Sequence, residues 1–70
     1  MKVKFDDGER STTLPEAFLS EYPEVGHLIE WEISPETDDG LALGRYRVEG
    51  VVWLLGTDTA PLITVHLVRL

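Results

Sequence analysis

Apolar and polar residues alternate along several short stretches of this chain. Near its start, Val3 and Phe5 alternate with charged residues, and the same period of two recurs at residues 29–33, 45–49 and 63–67. Successive side chains on a strand point to opposite faces of a sheet, so this pattern predicts strands with one buried face. We therefore predict a mainly β protein in which the apolar residues of these stretches share one core.

The longest alternating stretch changes its pattern at Gly50. Before this glycine, Tyr46 and Val48 alternate with charged residues, whereas the run from Val51 to Leu55 is apolar on both faces. A glycine at such a break in parity is typical of a β-bulge or a sharp bend. We therefore predict a bent strand whose second half carries more apolar side chains than one small core can bury.

The surplus of apolar residues after the bend predicts a surface patch around Trp53 and Leu55. Exposed apolar patches often mark an interface with another molecule. The alternative is that a helix covers this surface, and the sequence favours neither arrangement over the other. Trp53 and Leu55 are therefore candidate partner-binding residues.

Residues 13–16, with the sequence TLPE, resemble the start of a helix. Thr13 and Glu16 have the spacing of a capping box, in which each side chain bonds the other residue's backbone N–H. Apolar residues then recur at every fourth position: Leu14, Phe18 and Tyr22. Pro23 follows, and the residue before a proline avoids the α region. The pattern predicts one short helix near residues 14–22 with an apolar face.

Asp7 and Gly8 lie between the first predicted strand and a polar stretch. This dipeptide favours a two-residue hairpin turn, because both turn positions need a positive φ. Such a turn would place Phe5 opposite Arg10. The returning stretch is polar, so we expect it to form an edge of the sheet.

Two segments, PEVGHLIEW and the pair YRVEGVVW and LITVHLVRL, resemble the central strands of small SH3-like proteins. The resemblance covers residues 23–70 and implies a small barrel. The turn signals between the strands favour the same type of fold as this resemblance. We expect a single domain, residues 1–70, that is mainly β with a minor helical part. It would be an antiparallel SH3-like barrel or a rolled sheet of about five strands.

The length of 70 residues limits the size of the core. A chain this short buries only about 60% of the surface that its unfolded form exposes. It has no cysteine, so neither disulfides nor thiolate metal sites are expected. The start, MKVKFDDGER, lacks the apolar core of a signal peptide, and the longest apolar run is too short to span a membrane. We expect a cytoplasmic protein that does not bind membranes.

The net charge of −7 is concentrated in the middle of the chain. Residues 11–44 contain no Lys or Arg but carry eight acids: Glu16, Glu21, Glu24, Glu30, Glu32, Glu36, Asp38 and Asp39. Such a field repels phosphate backbones and attracts basic surfaces. We therefore expect no direct contact with nucleic acid, and a protein partner with a basic surface.

Glu30 and Glu32 form the one carboxylate pair that could catalyse a reaction. They share one face of a predicted strand, about 7 Å apart. Two carboxylates at such spacing can act as acid and base on a sugar bond, provided that a cleft raises the pKa of one of them. A chain of 70 residues has little volume for a cleft. We therefore expect no enzymatic activity.

The remaining polar residues show no motif of a metal or cofactor site. The loop ETDDG does not fit the EF-hand pattern, because Tyr46 stands where the final Glu belongs. His27 and His66 are the only imidazoles, and neither has a second ligand at metal-binding spacing. We expect neither a metal nor a cofactor.

These observations favour a small, acidic, non-enzymatic interaction protein that binds a basic protein partner. The predicted acidic face is formed by Glu30, Glu32, Glu36, Asp38 and Asp39. The apolar patch at Trp53 and Leu55 would add adhesion. Short acidic chains of this type often come from phages or mobile elements. The most specific form of the hypothesis is therefore an inhibitor that mimics the charge of nucleic acid.

Two alternatives remain at this point. The first is a structural or assembly accessory protein that forms a homodimer through its C-terminal strand, whose edge we expect to be open. The second is a small hydrolase that uses Glu30 and Glu32.

Overall fold

A computed structural model describes all 70 residues of the chain. Its strands form one five-stranded sheet that curls into a half-barrel. The strands, numbered along the chain, are β1 (Lys2–Asp6), β2 (Ser11–Pro15), β3 (Leu28–Trp31), β4 (Gly44–Leu54) and β5 (Leu62–Arg69). The prediction of a mainly β fold with about five strands is confirmed. Of the two predicted architectures, the rolled sheet is the one observed.

The strands lie in the order β2-β1-β5-β4-β3. Strands β1 and β2 form an antiparallel hairpin, β4 pairs antiparallel with both β3 and β5, and β1 and β5 run parallel. The sheet is therefore mixed, and the prediction that it is antiparallel throughout is wrong in this one pairing. Parallel neighbours need a connection of about a dozen residues or more. Most of the chain lies between β1 and β5, so this condition is met.

The C-terminal strand β5 is the central strand of the sheet. It pairs with β1 on one side and with β4 on the other. The prediction of an open edge along this strand is wrong, because β1 pairs with it from far away in the sequence. The two edges of the sheet are β2 and β3.

The β1–β2 hairpin has a longer loop than predicted, and Phe5 faces Thr12 instead of Arg10. The backbone N–H of Asp7 donates to the carbonyl of Arg10 at 3.0 Å. The Asp7 carboxylate accepts the N–H groups of Glu9 and Arg10 at 2.9 and 2.7 Å. Aspartate side chains commonly bond the backbone two or three residues on, and here they stabilise the wider loop.

The helix predicted for residues 14–22 is a single turn of 3₁₀ helix, Glu16–Phe18. Leu14 instead belongs to β2, opposite Val3, and packs against the core. Pro15 is extended and makes no side-chain cap. Pairing with β1 therefore outweighs the capping pattern, which is a weak local preference. No helix in the structure is long enough to cross a membrane.

The core lies on the concave side of the sheet. It consists of nine buried residues: Val3, Phe5, Trp31, Leu41, Tyr46, Val48, Ile63, Val65 and Leu67. Eight of them come from β1, β3, β4 and β5 and confirm the predicted alternation. Leu41 enters from the loop between β3 and β4. Ile33, predicted to face the core, is exposed because β3 ends before it.

The predicted bend in β4 is confirmed. The pairing of β4 with β5 shifts by one residue between Val48 and Gly50. Beyond this bulge, β4 continues to Leu54 and forms a long hairpin with β5. In this half, Val51 packs against the core, whereas Val52, Trp53 and Leu54 are exposed to solvent, as is Leu55 just after the strand.

Candidate binding groove

An open groove lies between the two edges of the half-barrel, because no strand connects β2 to β3. Its volume is about 920 Å³, at the upper end of the range of about 300–1,000 Å³ that is common for ligand sites. One wall comes from β2 and the segment after the 3₁₀ turn. The other comes from β3 and the residues that follow it.

The floor and walls of the groove are apolar. They are formed by Phe5, Leu14, Leu19, Ile29, Trp31 and Ile33. The rings of Phe5 and Trp31 pack at 5.1 Å between centroids with a tilt of 55°. This contact fixes the base of the groove within the core, so Phe5 and Trp31 form a well-packed floor.

Acidic side chains surround this apolar surface. Four glutamates line the groove, and all of them are exposed: Glu21, Glu30, Glu32 and Glu36. Only Glu30 forms an ion pair, at 2.9 Å from Arg45 on the neighbouring strand. The other three have no basic partner within the molecule. Most of the negative charge at the groove is therefore not neutralised internally.

The predicted acidic face divides into two parts in the structure. Glu30, Glu32 and Glu36 line the groove, whereas Asp38 and Asp39 lie outside it in an exposed loop. Glu21 lines the groove and was not singled out from the sequence. It shares the base-free stretch with the others, but only the tertiary fold brings it to the same site.

The edge of β3 that borders the groove has no hydrogen-bonded partner strand. In an antiparallel pair, alternate residues bond across to the partner. Just before β3, the backbone N–H of Val48 in β4 donates to the carbonyl of His27 at 2.9 Å, so this carbonyl points toward β4. By alternation, Ile29 bonds toward β4, while Leu28 and Glu30 present their N–H and C=O groups to the groove.

The edge of β2 is partly covered. The loop before β4 lies beside it, where Ser11 N–H donates to the carbonyl of Asp39 at 2.9 Å. The hydroxyl of Thr12 accepts the N–H of Leu41 at 2.9 Å. Pro15 at the other end of β2 has no N–H to offer. Of the two edges, β3 is therefore the less covered one.

The indole N–H of Trp31 is buried and has no hydrogen-bond partner. Trp31 is 5% exposed and forms part of the groove. A buried donor without an acceptor costs about 1–3 kcal/mol. Trp31 thus lines the groove with its ring, while its unpaired indole N–H is itself buried and not exposed to the groove.

The second predicted surface, around Trp53 and Leu55, lies at the far end of the β4–β5 hairpin. Trp53 is 48% exposed, which confirms a partly exposed patch. Tyr22 covers one side of it, with 5.5 Å between ring centroids. The Tyr22 hydroxyl donates to the Glu16 carboxylate at 2.6 Å. The predicted covering helix is thus reduced to one aromatic side chain.

The hydrogen bond between Tyr22 and Glu16 shifts both groups. It lowers the pKa of the Glu16 carboxyl, an effect that partial loss of solvent opposes and the Met1 ammonium reinforces. It also raises the pKa of the Tyr22 phenol, together with desolvation and the negative charge of Glu16. The contact is therefore strongest when the carboxylate is ionised and the phenol is neutral.

The two glutamates of the predicted catalytic pair both line the groove. Glu30 is engaged by Arg45, and Glu32 lies beyond the end of β3 with its side chain exposed. His27 accepts the backbone N–H of Glu24 through Nδ1 at 3.2 Å. No group of three or more His, Cys, Asp or Glu side chains is close enough to hold a metal ion.

Comparison of the chain with protein-family models, curated proteins and solved structures found no match. The function is therefore argued from the geometry of the groove and of the apolar patch.

Proposed function

We propose that this chain is a non-enzymatic interaction protein that binds a basic protein partner through the groove between β2 and β3. The observation that carries the proposal is an open apolar groove bordered by three glutamates without internal partners: Glu21, Glu32 and Glu36. An apolar surface contributes affinity, and unneutralised charge on its border selects the sign of the partner.

The chemistry of the groove indicates which side chains a partner would place in it. Its apolar side chains would enter the groove over Phe5 and Trp31. Its lysines or arginines would face the glutamates at the border. Charge at this position also speeds encounter, because opposite charges steer the two molecules together at low ionic strength.

The patch at Trp53 would be a second contact with the same partner. Tyr22, which packs on Trp53, lies between Glu21 and Pro23, and both of these line the groove. A partner larger than a single segment could therefore contact the groove and the patch together. We assign the patch the smaller role, because its residues do not line the groove.

A short synthetic peptide of lysine and valine tests the proposal, with glutamine replacing lysine in a neutral control peptide. The triple variant Glu21→Gln, Glu32→Gln, Glu36→Gln should bind the basic peptide about threefold to 150-fold more weakly, since exposed ion pairs contribute about 0.2–1 kcal/mol each. Titration calorimetry at two salt concentrations measures this loss. The affinity of the unaltered chain should fall as salt rises.

A matched triple variant removes the same charge elsewhere: Glu9→Gln, Glu24→Gln, Asp58→Asn. None of these residues lines the groove. We expect this control variant to weaken peptide binding much less than the groove variant does. Equal losses in the two triples, or binding that is indifferent to salt, would contradict a site in the groove.

A further inference from the structure

The free edge of β3 gives the groove unpaired backbone hydrogen-bonding groups in addition to its acidic border. Leu28 and Glu30 present backbone N–H and C=O groups to it, and neither residue bonds to any other segment through these groups. Unpaired edges of this kind accept an added strand from another chain. The strand is short and carries the charged Glu30, but it contains no proline, lysine or bulge, which are further protections against such pairing.

The side chains beside this edge define which strand would fit. A strand next to β3 alternates in the same way as β3 itself. One set of its side chains would enter the groove beside Ile29 and Trp31, which favours apolar residues. The other set would lie on the outer face beside Glu30 and near Glu32, which favours basic residues.

A second copy of this chain fits the edge poorly. Pairing of β3 with its own copy would bring the exposed Glu30 and Glu32 of two molecules into one small area. Like charges on facing strands destabilise a sheet. The glutamates therefore disfavour self-pairing at the same edge at which they favour a basic strand.

From this edge and its charges, we propose that the partner contributes an extended segment of alternating apolar and basic residues. This segment pairs through its backbone with β3 and becomes a sixth strand of the sheet. The inference rests on the proposed function and adds the binding mode. It extends the half-barrel across the groove toward β2, the other edge of the sheet.

Backbone N-methylation of a peptide probe separates strand pairing from charge attraction. The probe is a synthetic peptide in which lysine and valine alternate. One derivative carries N-methyl groups on its valines and the other on its lysines. In a strand these two sets of N–H groups point to opposite edges, while both derivatives keep the same charge and side chains.

The deciding measurement is amide hydrogen exchange by NMR at Leu28 and Glu30. We expect the unmodified peptide to protect both amides, and at least one methylated derivative to bind about tenfold more weakly. If both derivatives bind like the parent and the two amides stay unprotected, strand pairing is wrong, while binding of a basic partner in the acidic groove still holds. If the unmodified peptide does not bind at all, both proposals fail.

Leu28 offers a matched pair of variants in the protein itself. Leu28→Pro removes the N–H that faces the groove without removing a bond to β4. Leu28→Ala removes the exposed side chain and keeps the N–H. We expect the proline variant to bind the peptide about two- to tenfold more weakly than the alanine variant. Equal affinities in two folded variants would contradict the inference. If the proline variant fails to fold, the methylated peptides decide.

Discussion

The two tryptophans mark two regions that expose apolar surface in different ways. Trp31 is buried beneath a groove whose strand edge is free and whose border is acidic. Trp53 is half exposed on a hairpin whose two strands already pair with each other. Both regions can adhere to a partner, but the groove combines its apolar residues with a free strand edge and an acidic border. Specificity needs those directional groups, whereas buried area alone does not supply it.

The bulge in β4 explains part of this difference. Before it, Tyr46 and Val48 are buried, and the outward residues are charged. After it, both faces are apolar, and the sheet has no further layer to cover them. The groove has a different origin. It is open because β3 is short and no further strand pairs with the outer edge of β3.

The largest expected difference between the two regions is in stability. Trp31→Ala should lower the free energy of unfolding by about 3–5 kcal/mol, because it empties a packed site. Trp53→Ala should cost about 1 kcal/mol, since the side chain is half exposed and loses one aromatic contact with Tyr22. Urea denaturation followed by circular dichroism measures both. A domain of this length has roughly 4–10 kcal/mol in total, so Trp31→Ala should lie close to unfolding.

Trp31→Phe is the control for the shape of the site. It removes the unpaired indole N–H and less volume, so it should cost clearly less than the alanine variant. Equal losses of unfolding free energy in Trp31→Ala and Trp53→Ala would contradict the distinction between a packed groove floor and an exposed patch.

The strands could be predicted from the sequence because their alternation is local. Trp31, Tyr46 and Val48 were placed in the core, and the bulge at Gly50 was located, from period and parity alone. The helix could not be predicted in this way. Its capping pattern is local too, but the pairing of Leu14 with Val3 across the hairpin outweighs it.

The next largest difference concerns the loops that border the two regions. A Cβ added at Gly40 would lie 2.7 Å from the Pro35 Cβ and 3.2 Å from its Cα, next to the buried Leu41. Gly40→Ala should therefore cost about 1–3 kcal/mol through overpacking. At Gly56, on the hairpin, the only close neighbour is the Thr59 hydroxyl at 2.6 Å, which can rotate away.

Gly56→Ala serves as the matched control and should change stability by less than about 1 kcal/mol. Thermal unfolding of the two variants gives the comparison. A cost at Gly56 equal to that at Gly40 would mean that the hairpin loop is as tightly packed as the loop that supports the groove.

The acidic site could be predicted only in part. The absence of bases from residues 11–44 identified its charge, but not its position. Strand register decides that Glu30 meets Arg45, and the curvature of the sheet decides that Glu21 joins Glu32. The free edge was assigned to the wrong strand, because the parallel pairing of β1 with β5 is non-local and leaves no trace in the alternation.

A smaller effect is expected when the ion pair at the groove is broken. Arg45→Gln frees the Glu30 carboxylate, so the affinity for the lysine–valine peptide should rise about two- to fivefold. Arg47→Gln changes the net charge equally but breaks the pair with Glu49, which does not line the groove. Its affinity should stay nearly constant. Calorimetry distinguishes the two, and equal gains would indicate a general charge effect instead of a local one.

The smallest effect is the pH response of the patch. The Tyr22 hydrogen bond lowers the pKa of Glu16 below its ordinary value of 4.5. A carboxyl whose pKa is lowered by folding adds stability above that ordinary value, and this stability is lost as the pH falls through the lowered pKa. Below about pH 4, the contact of Tyr22 with Trp53 should therefore loosen. The indole N–H signal of Trp53 in NMR spectra should then shift, while that of Trp31 stays in place. In Tyr22→Phe the ring remains without the hydroxyl, so the shift should vanish. A shift that persists in this variant would mean that Glu16 is not its cause.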